Sequence, residues 1–200
     1  LIMEAQDTTC GWAMKHDNER EYHDQEWGVP VYDDRKLFEF ICLEGAQAGL
    51  SWRTILNKRV GYIAAFEDFD IEKLAQYDEQ RVPFIIENFD VVKHKGKIAS
   101  VFSNARAAIE LQKEYGSLSA ALWQFVEGKP LQPERQSMDQ VPAVSDESKA
   151  LSKFLKKRGF KFMGETICYA FMQATGMIND HVVACPCHSK CKTNGDKAKE

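Results

Sequence analysis

Apolar residues recur every three or four positions along most of the chain, which is the spacing typical of amphipathic α-helices. Capping residues bound several of these segments: Asp33 and Asp34 precede one, Asp70 precedes a short one and Ser145 opens another. The predicted helices cover about 34–43, 71–75, 97–115, 118–126, 145–158 and 165–175. Alternating apolar and polar positions, typical of strands, are almost absent. The pattern therefore predicts an all-α fold.

The remaining segments predict loops and a terminal extension. Residues 128–143 include Pro130, Pro133 and Pro142 and predict a connecting loop. A length of 200 residues suits one domain, which we place at 1–187. Residues 188–200 are polar and lysine-rich, which predicts a mobile tail.

Composition excludes several classes of protein. Hydrophobic residues make up 44% and charged residues 28%, which excludes a wholly disordered chain, a collagen and a coiled coil. No apolar run approaches the ~20 residues of a spanning helix, so we expect no membrane span. The first residues also lack the pattern of a secretory signal. The formal net charge of −4 does not by itself indicate a nucleic-acid binder, although a local basic patch still could bind one.

Two thiols and two imidazoles have spacings that suit a metal. Cys10 and His23 lie near the start of the chain, and His181 and Cys185 lie four positions apart near its end. Such a set is what a closed tetrahedral zinc site takes, and a metal there would connect the two ends of the chain. Plain burial of these residues is an equally open interpretation. The sequence also leaves open a ligand set that includes Cys187, His188 and Cys191.

A glycine-bounded turn between two helices carries the chain's clearest basic patch. The turn lies between Gly159 and Gly164, within a helix–hairpin–helix that we place at about 145–176. Glycines there would bring backbone amides close to a phosphate, and the next helix N-terminus adds partial positive charge. The basic residues are Lys153, Lys156, Lys157, Arg158 and Lys161. A DNA-backbone contact and a solvated helical corner both fit this pattern.

The first third of the chain concentrates tryptophans around an unusual acid. Glu44 interrupts an apolar helix face beside Gly45, where a backbone could approach a ligand. Trp12, Trp27 and Trp52 lie within the same short region. Aromatic rings could stack on an extruded base. Ordinary core packing of these tryptophans is the competing interpretation.

Several long motifs together resemble a known family. The chain is similar to the DNA-3-methyladenine glycosylase I family of the helix–hairpin–helix glycosylase superfamily. The resemblance extends from about residue 10 to residue 187. The matching runs are Cys10–Trp12, Tyr22–Pro30, Leu37–Phe38, Ile41–Trp52, His94–Ile98, Asn104–Arg106, Leu155–Phe162 and Asn179–Val183.

The resemblance implies a fold and a set of site residues. The fold would be a helix–hairpin–helix DNA glycosylase fold, with two helical lobes around a cleft. One structural zinc ion would be held by Cys10, His23, His181 and Cys185. The catalytic residue would be Glu44, and the base would lie against Tyr22, Trp52 and Trp12. DNA would contact Gly49, Leu50, Gly159, Lys161 and Gly164.

The resemblance also implies an activity and its partners. The protein would be a monofunctional DNA repair enzyme that flips 3-methyladenine out of alkylated double-stranded DNA and hydrolyses its glycosidic bond. The free base would be the product, and the protein would be a cytoplasmic bacterial monomer. The alternatives are a zinc-stabilised DNA-binding module without catalysis and a metal-dependent hydrolase. Asp180 is a competing acid, and Glu19 stands where the family often has a tyrosine, so this wall of the pocket differs.

Overall fold

The computed structural model describes residues 6–197 and is built from α-helices joined by short loops and 3₁₀ turns. The helices are α1 (Asp17–Gln25), α2 (Asp34–Gln47), α3 (Trp52–Asn57), α4 (Arg59–Ala65), α5 (Ile71–Leu74), α6 (Val82–Asn88), α7 (Lys95–Tyr115), α8 (Leu118–Trp123), α9 (Asp146–Lys157), α10 (Glu165–Ala174) and α11 (Pro186–Lys197). In this part of the chain there is no strand, only an isolated bridge between Leu131 and Ile178. The all-α prediction is therefore confirmed.

Local capping sets where several helices begin and end. The Asp33 side chain accepts from the backbone N–H of Lys36 at the start of α2. Ser145 and Ser148 bond each other's backbone N–H at the start of α9. Gly116 ends α7 with a φ of 89°, a conformation that glycine adopts without steric cost. These interactions satisfy backbone groups that a helix end leaves unpaired.

Helix α2 lies at the centre of the molecule and carries Glu44. Every residue from 37 to 46 is buried, because α2 packs against α3, α7, α8 and α10. Helix α7 packs against α5 and α8, and α10 packs against α9. Among residues 6–197, no helix combines the length and apolar character that crossing a bilayer requires.

The end of the chain is helical in the described residues. Residues 188–197, which the sequence predicts to belong to a mobile tail beyond a domain boundary at 187, form most of α11, which continues to Lys197. Its Cys191 and His188 are buried, and the Cys191 Sγ lies 4.0 Å from the carbonyl oxygen of Trp27. This segment contains few apolar residues, so its sequence did not indicate a helix. Residues 198–200 lie outside the described part.

A buried ion-pair network holds α1 against α2. Arg59 at the start of α4 donates to Glu26 at 2.6 and 2.8 Å, just after α1. It also donates to Glu39 of α2 at 3.0 Å. Glu39 is only 5% exposed, and its carboxylate is paired with this guanidinium and with the Lys36 ammonium at 3.1 Å. The network therefore fixes the relative placement of the helices that carry Tyr22 and Glu44.

We expect Arg59→Met to lower the free energy of unfolding by about 3 kcal/mol, because it leaves a buried carboxylate short of its main partner. Urea unfolding followed by circular dichroism measures this change. Arg53→Met, an exposed position on α3, serves as the matched control and should change stability by less than about 0.5 kcal/mol. Equal stability of the two variants would contradict the importance of the network.

Candidate active site and metal centre

One cavity brings together the aromatic and acidic residues singled out from the sequence. It has a volume of about 320 Å³ and lies between α1, α2, α3 and α10. Its lining residues are Trp12, Glu19, Tyr22, Trp27, Glu44, Gln47, Trp52, Met138, Ala170 and Gln173. All four residues predicted to recognise a base therefore line one space. The remaining side chains are mostly apolar or uncharged, so the cavity suits a flat organic ligand.

Glu44 lies in the buried last turn of α2 and lines this cavity. It is only 3% exposed, and its Oε2 has no hydrogen-bond partner among the described residues. Burial raises the pKa of this carboxyl from 4.5 to about 8. An unpartnered buried carboxyl is costly to the fold, which points to a ligand that would satisfy it.

Aromatic side chains form the walls beside Glu44. The Tyr22 and Trp52 rings lie 5.2 Å apart between centroids, at an interplanar angle of 45°. Burial, followed by the charge of Glu44, raises the pKa of Tyr22, so its phenol stays neutral. Trp52 begins α3, where Ser51 accepts from the backbone N–H of Thr54 and fixes the turn. The Trp52 Nε1–H is buried and lacks an acceptor within residues 6–197.

Cys10, His23, His181 and Cys185 form a second, fully buried cluster. The Nδ1 atom of His181 lies 3.1 Å from His23 Nε2 and 3.7 Å from Cys10 Sγ. The Sγ atom of Cys185 lies 3.7 Å from His23 Nε2 and 3.9 Å from His181 Nδ1. All four atoms lie within 4.8 Å of one another, so they are close enough to bind one metal ion.

Hydrogen bonds outside this cluster fix how both imidazoles face it. Asp24 Oδ1 lies 2.7 Å from His23 Nδ1, which leaves His23 Nε2 free to act as a ligand. The Trp27 carbonyl oxygen lies 2.7 Å from His181 Nε2, which leaves His181 Nδ1 free. Such partners are what orient histidine ligands of metals. The Cys10 thiol, by hydrogen bonding to Cys185, lowers the pKa of Cys185 and favours one thiolate.

The metal cluster and the cavity share a wall. The Trp27 ring stacks on His23 with centroids 6.0 Å apart and meets His181 edge-on at 4.7 Å. The Trp12 ring meets Trp27 edge-on at 5.0 Å. Trp12 and Trp27 both line the cavity. Disorder of the four-residue cluster would therefore also displace the aromatic side chains of the cavity wall.

The turn between α9 and α10 has two glycines in different situations. Gly159 has a φ of 88°, a left-handed backbone conformation that glycine adopts without steric cost. Gly164 has an ordinary φ of −70°, and a Cβ there would meet nothing within 4 Å. The Asn104 side chain brackets the turn, accepting from the Lys161 N–H at 2.9 Å and donating to its carbonyl at 3.2 Å. The backbone conformation therefore favours glycine at 159, whereas at 164 glycine is the N-cap of α10 and a side chain would also fit.

The basic patch on α9 is smaller than the sequence indicates. The Arg158 guanidinium is hydrogen-bonded to both carboxylate oxygens of Glu114 and lies 4.9 Å from the centroid of the Phe154 ring. Lys153, Lys156, Lys157 and Lys161 remain exposed. The loop before α3 presents Gly49, with a φ of 78°, and Leu50, which is 41% exposed.

The chain matches a known protein family along most of its length. A family model described as methyladenine glycosylase matches residues 12–188. The chain belongs to the methyladenine glycosylase family. It is 46% identical over 179 residues to DNA-3-methyladenine glycosylase 1 of Escherichia coli (strain K12), covering 90% of this chain and 96% of that protein.

Solved structures of methyladenine glycosylases have the same fold. A crystal structure of 3-methyladenine DNA glycosylase I matches with a TM-score of 0.86 and 48% identity, covering 90% of this chain and 99% of that one. A variant of 3-methyladenine DNA glycosylase I in complex with 3-methyladenine matches with a TM-score of 0.86 and 36% identity. That match covers 88% of this chain and 95% of the other.

Within this methyladenine glycosylase, Asp180 is a buried structural acid. Its carboxylate accepts from Tyr169 at 2.5 Å, Gln173 at 3.0 Å and Arg135 at 3.2 Å. It does not line the cavity described above. Gln173 lines the cavity and donates its amide N–H to Asp180, so the geometry gives Asp180 the role of orienting this side chain.

Sequence analysis missed four cavity residues as site residues: Gln47, Met138, Ala170 and Gln173. Gln47 lies three positions after Glu44 on α2, and this helical spacing could have indicated it. The others come from distant segments, and no local pattern marks them. Cys187 lies 3.9 Å from Asp24 Oδ1, outside the four-residue cluster.

Proposed function

We propose that the protein excises 3-methyladenine from alkylated double-stranded DNA by hydrolysing its glycosidic bond, with Glu44 as the catalytic residue. The observation that carries this proposal is that two side chains lining one aromatic cavity, Glu44 and Trp52, each bury a polar atom that has no hydrogen-bond partner within residues 6–197, Glu44 Oε2 and Trp52 Nε1. One is a hydrogen-bond acceptor and the other a donor. A purine edge offers the complementary groups. A backbone-only DNA-binding module has no need of such a cavity.

The cavity favours a cationic base. N3-methylated adenine in DNA carries a positive charge, so its glycosidic bond is already weakened. Stacking of this cation with the Tyr22 and Trp52 rings contributes about 0.5–2 kcal/mol, and Trp12 extends the aromatic wall. Glu44 accepts from the exocyclic amine and offsets the charge. A methylated base also pairs less well, so its extrusion from the duplex costs less.

The chemistry proceeds without a covalent enzyme intermediate. Among the residues that line the cavity, none is a lysine, so no amine is placed to form a Schiff base with the sugar. Recognition of the flipped base positions a water molecule that attacks the sugar. We therefore propose a monofunctional enzyme that leaves the DNA strand intact and releases the free base, acting in the bacterial cytoplasm as a monomer.

The metal of this proposal is one structural zinc ion. Bond lengths of about 2.3 Å to sulfur and 2.0 Å to nitrogen place tetrahedral ligands about 3.3–3.8 Å apart. The observed separations of 3.1–3.9 Å fit one such ion. Cys10, His23, His181 and Cys185 would hold it, and four protein ligands leave no position for water. Zinc would therefore connect the two ends of the chain and take no part in the reaction.

In this proposal, a helix–hairpin–helix holds the DNA. It lies at one side of a cleft between two helical lobes. The turn from Gly159 to Gly164 places backbone amides and Lys161 against a phosphate, with the N-terminus of α10 behind them. Gly49 and Leu50 enter the gap that the extruded base leaves. The open space around Gly164 supports this arrangement, since it leaves the backbone at the start of α10 accessible to a phosphate.

Gly164→Val should therefore weaken binding of duplex DNA about ten-fold while leaving the thermal unfolding midpoint within about 2 °C of wild type. Fluorescence anisotropy with a labelled duplex measures the affinity. Ala120→Val, an exposed position on α8, is the control for adding a branched apolar side chain at the surface. Unchanged affinity in a folded Gly164→Val protein would remove the turn from the DNA surface.

Release of bases from methylated duplex DNA tests the activity itself. We expect chromatography to show 3-methyladenine in the supernatant and the DNA strand to stay intact until alkali cleaves the abasic sites. No released base from a folded, zinc-loaded protein that still binds DNA would favour the binding module. Strand breaks, or an adduct trapped by borohydride, would contradict the monofunctional mechanism.

A further inference from the structure

The cavity contains a second carboxyl group, that of Glu19. Glu19 lies in the first turn of α1, three positions before Tyr22, so both side chains share one face of the helix. It is half-buried, and its carboxylate has no ion pair or side-chain hydrogen bond with any residue in the described range. No lysine, arginine or histidine lines the cavity with it. Its negative charge is therefore uncompensated by the protein.

The two carboxyl groups lie at different depths. Glu44 and Tyr22 are 3% and 4% exposed and form the floor of the cavity. Glu19 remains partly open to solvent and lies at the mouth. A base that enters with its amino edge towards Glu44 leaves its sugar near the mouth. Burial keeps Glu44 largely protonated in the free protein near neutral pH, and Glu19 brings a second, more accessible carboxyl group to the same cavity.

Bond cleavage moves positive charge in the direction of Glu19. The bond between sugar C1′ and base N9 breaks, and its electron pair goes to N9. The base becomes neutral 3-methyladenine, and the sugar becomes an oxocarbenium ion. Water then attacks C1′ and releases a proton to solvent. A fixed negative charge near the sugar stabilises the transition state more than the ground state, which is the condition for catalysis.

We propose that Glu19 is a second catalytic carboxylate, which stabilises the positive charge on the deoxyribose as the glycosidic bond breaks. This inference rests on the proposed function, because it assigns a step in the same reaction. It predicts an effect on the rate of bond cleavage and none on the affinity for the neutral free base.

Single-turnover release of 3-methyladenine from methylated duplex DNA tests this role. We expect Glu19→Gln, which keeps the shape and removes the charge, to slow release about ten-fold. Glu19→Asp keeps the charge and should stay within about three-fold of wild type. Both variants should bind free 3-methyladenine as wild type does in calorimetry. Glu21→Gln, an exposed position on the same helix, is the control for a general change in charge.

The outcomes separate this proposal from the proposed function. Glu19→Gln at the wild-type rate would overturn the role of Glu19 while leaving the glycosylase activity established. Equal losses in Glu19→Gln and Glu19→Asp, or a matching loss of free-base affinity, would make Glu19 a packing or base-contact residue and also overturn it. No release by the wild-type protein would instead refute the proposed function.

Discussion

Glu44→Gln is expected to reduce excision of 3-methyladenine about 100-fold at pH 8. The amide cannot carry the negative charge that offsets the cationic base, although it fills the same space. Single-turnover release from methylated duplex DNA measures the loss. Glu72→Gln, an exposed position on α5, is the matched control and should keep the wild-type rate. A Glu44→Gln protein within three-fold of wild type would remove this residue from catalysis.

The same substitution should also change two pH profiles. The pKa of Glu44 is raised to about 8, so below pH 8 its carboxyl is mostly protonated. Binding of a cationic base at lower pH therefore requires Glu44 to lose this proton. Wild-type kcat/KM should therefore rise as pH increases towards 8 and then level, and this rise should vanish in Glu44→Gln. The profile tests the ionisation of Glu44 independently of the size of the rate loss.

The free energy of unfolding should fall as pH rises, whereas kcat/KM should increase. The folded protein holds the Glu44 proton up to about pH 8, whereas the unfolded chain releases it near 4.5. The free energy of unfolding contributed by this group therefore falls as pH rises from 4.5 to 8. Glu44→Gln should raise the unfolding midpoint at pH 8 and change it little at pH 4.5. A less stable variant at pH 8 would show that Glu44 has a partner in the fold.

Cys185→Ser should abolish stoichiometric zinc binding and lower the thermal unfolding midpoint by more than about 10 °C. The cluster connects the N-terminal Cys10 to the C-terminal His181 and Cys185, so its loss frees both segments. Mass spectrometry under native conditions measures the zinc content, and differential scanning calorimetry measures the midpoint. Excision should fall with the folded fraction, because zinc takes no part in the reaction.

Cys187→Ser is the matched control for this prediction, since Cys187 lies two positions away and is half-buried. It should keep one zinc ion per chain and lose little stability. Zinc retained in Cys185→Ser but lost in Cys187→Ser would reassign the site to His23, Asp24 and Cys187, whose ligand atoms also lie close together. A chelator that stopped excision by a still-folded protein would contradict a structural metal.

Local chemistry explains which helices were predictable from the sequence. Caps at Asp33, Asp70 and Ser145 act within one turn, so the sequence alone placed α2, α5 and α9. The sequence did not predict helix α11, because its polar residues form no apolar stripe. One of its buried contacts, from Cys191 to the Trp27 carbonyl oxygen, joins residues more than a hundred positions apart, and no local pattern reports it.

The candidate site shows the same division. Motif resemblance assigned Tyr22, Glu44 and Trp52 to one pocket, and the structure places them around one cavity. The sequence spacing alone left the role of Glu44 open. Its burial, and the lack of a described hydrogen-bond partner for its Oε2, result from the packing of other helices around α2. Arg158 was grouped with the basic patch because its partner Glu114 is distant in sequence. The charge pattern of the sequence therefore indicated a larger basic patch than the structure has, because Arg158 is paired with Glu114.

The most direct test of the account is where free 3-methyladenine binds, measured from the indole N–H resonances of the four tryptophans. Trp52 lines the cavity and its indole N–H has no acceptor in the described range 6–197, whereas the Trp123 indole donates to the Val31 carbonyl at 2.8 Å and Trp123 is not a lining residue. We predict that 3-methyladenine shifts the Trp52 resonance, that Trp123 stays unchanged, and that unmethylated adenine has a much weaker effect. Binding of 3-methyladenine without any shift at Trp52 would contradict the assignment of this cavity as the base pocket.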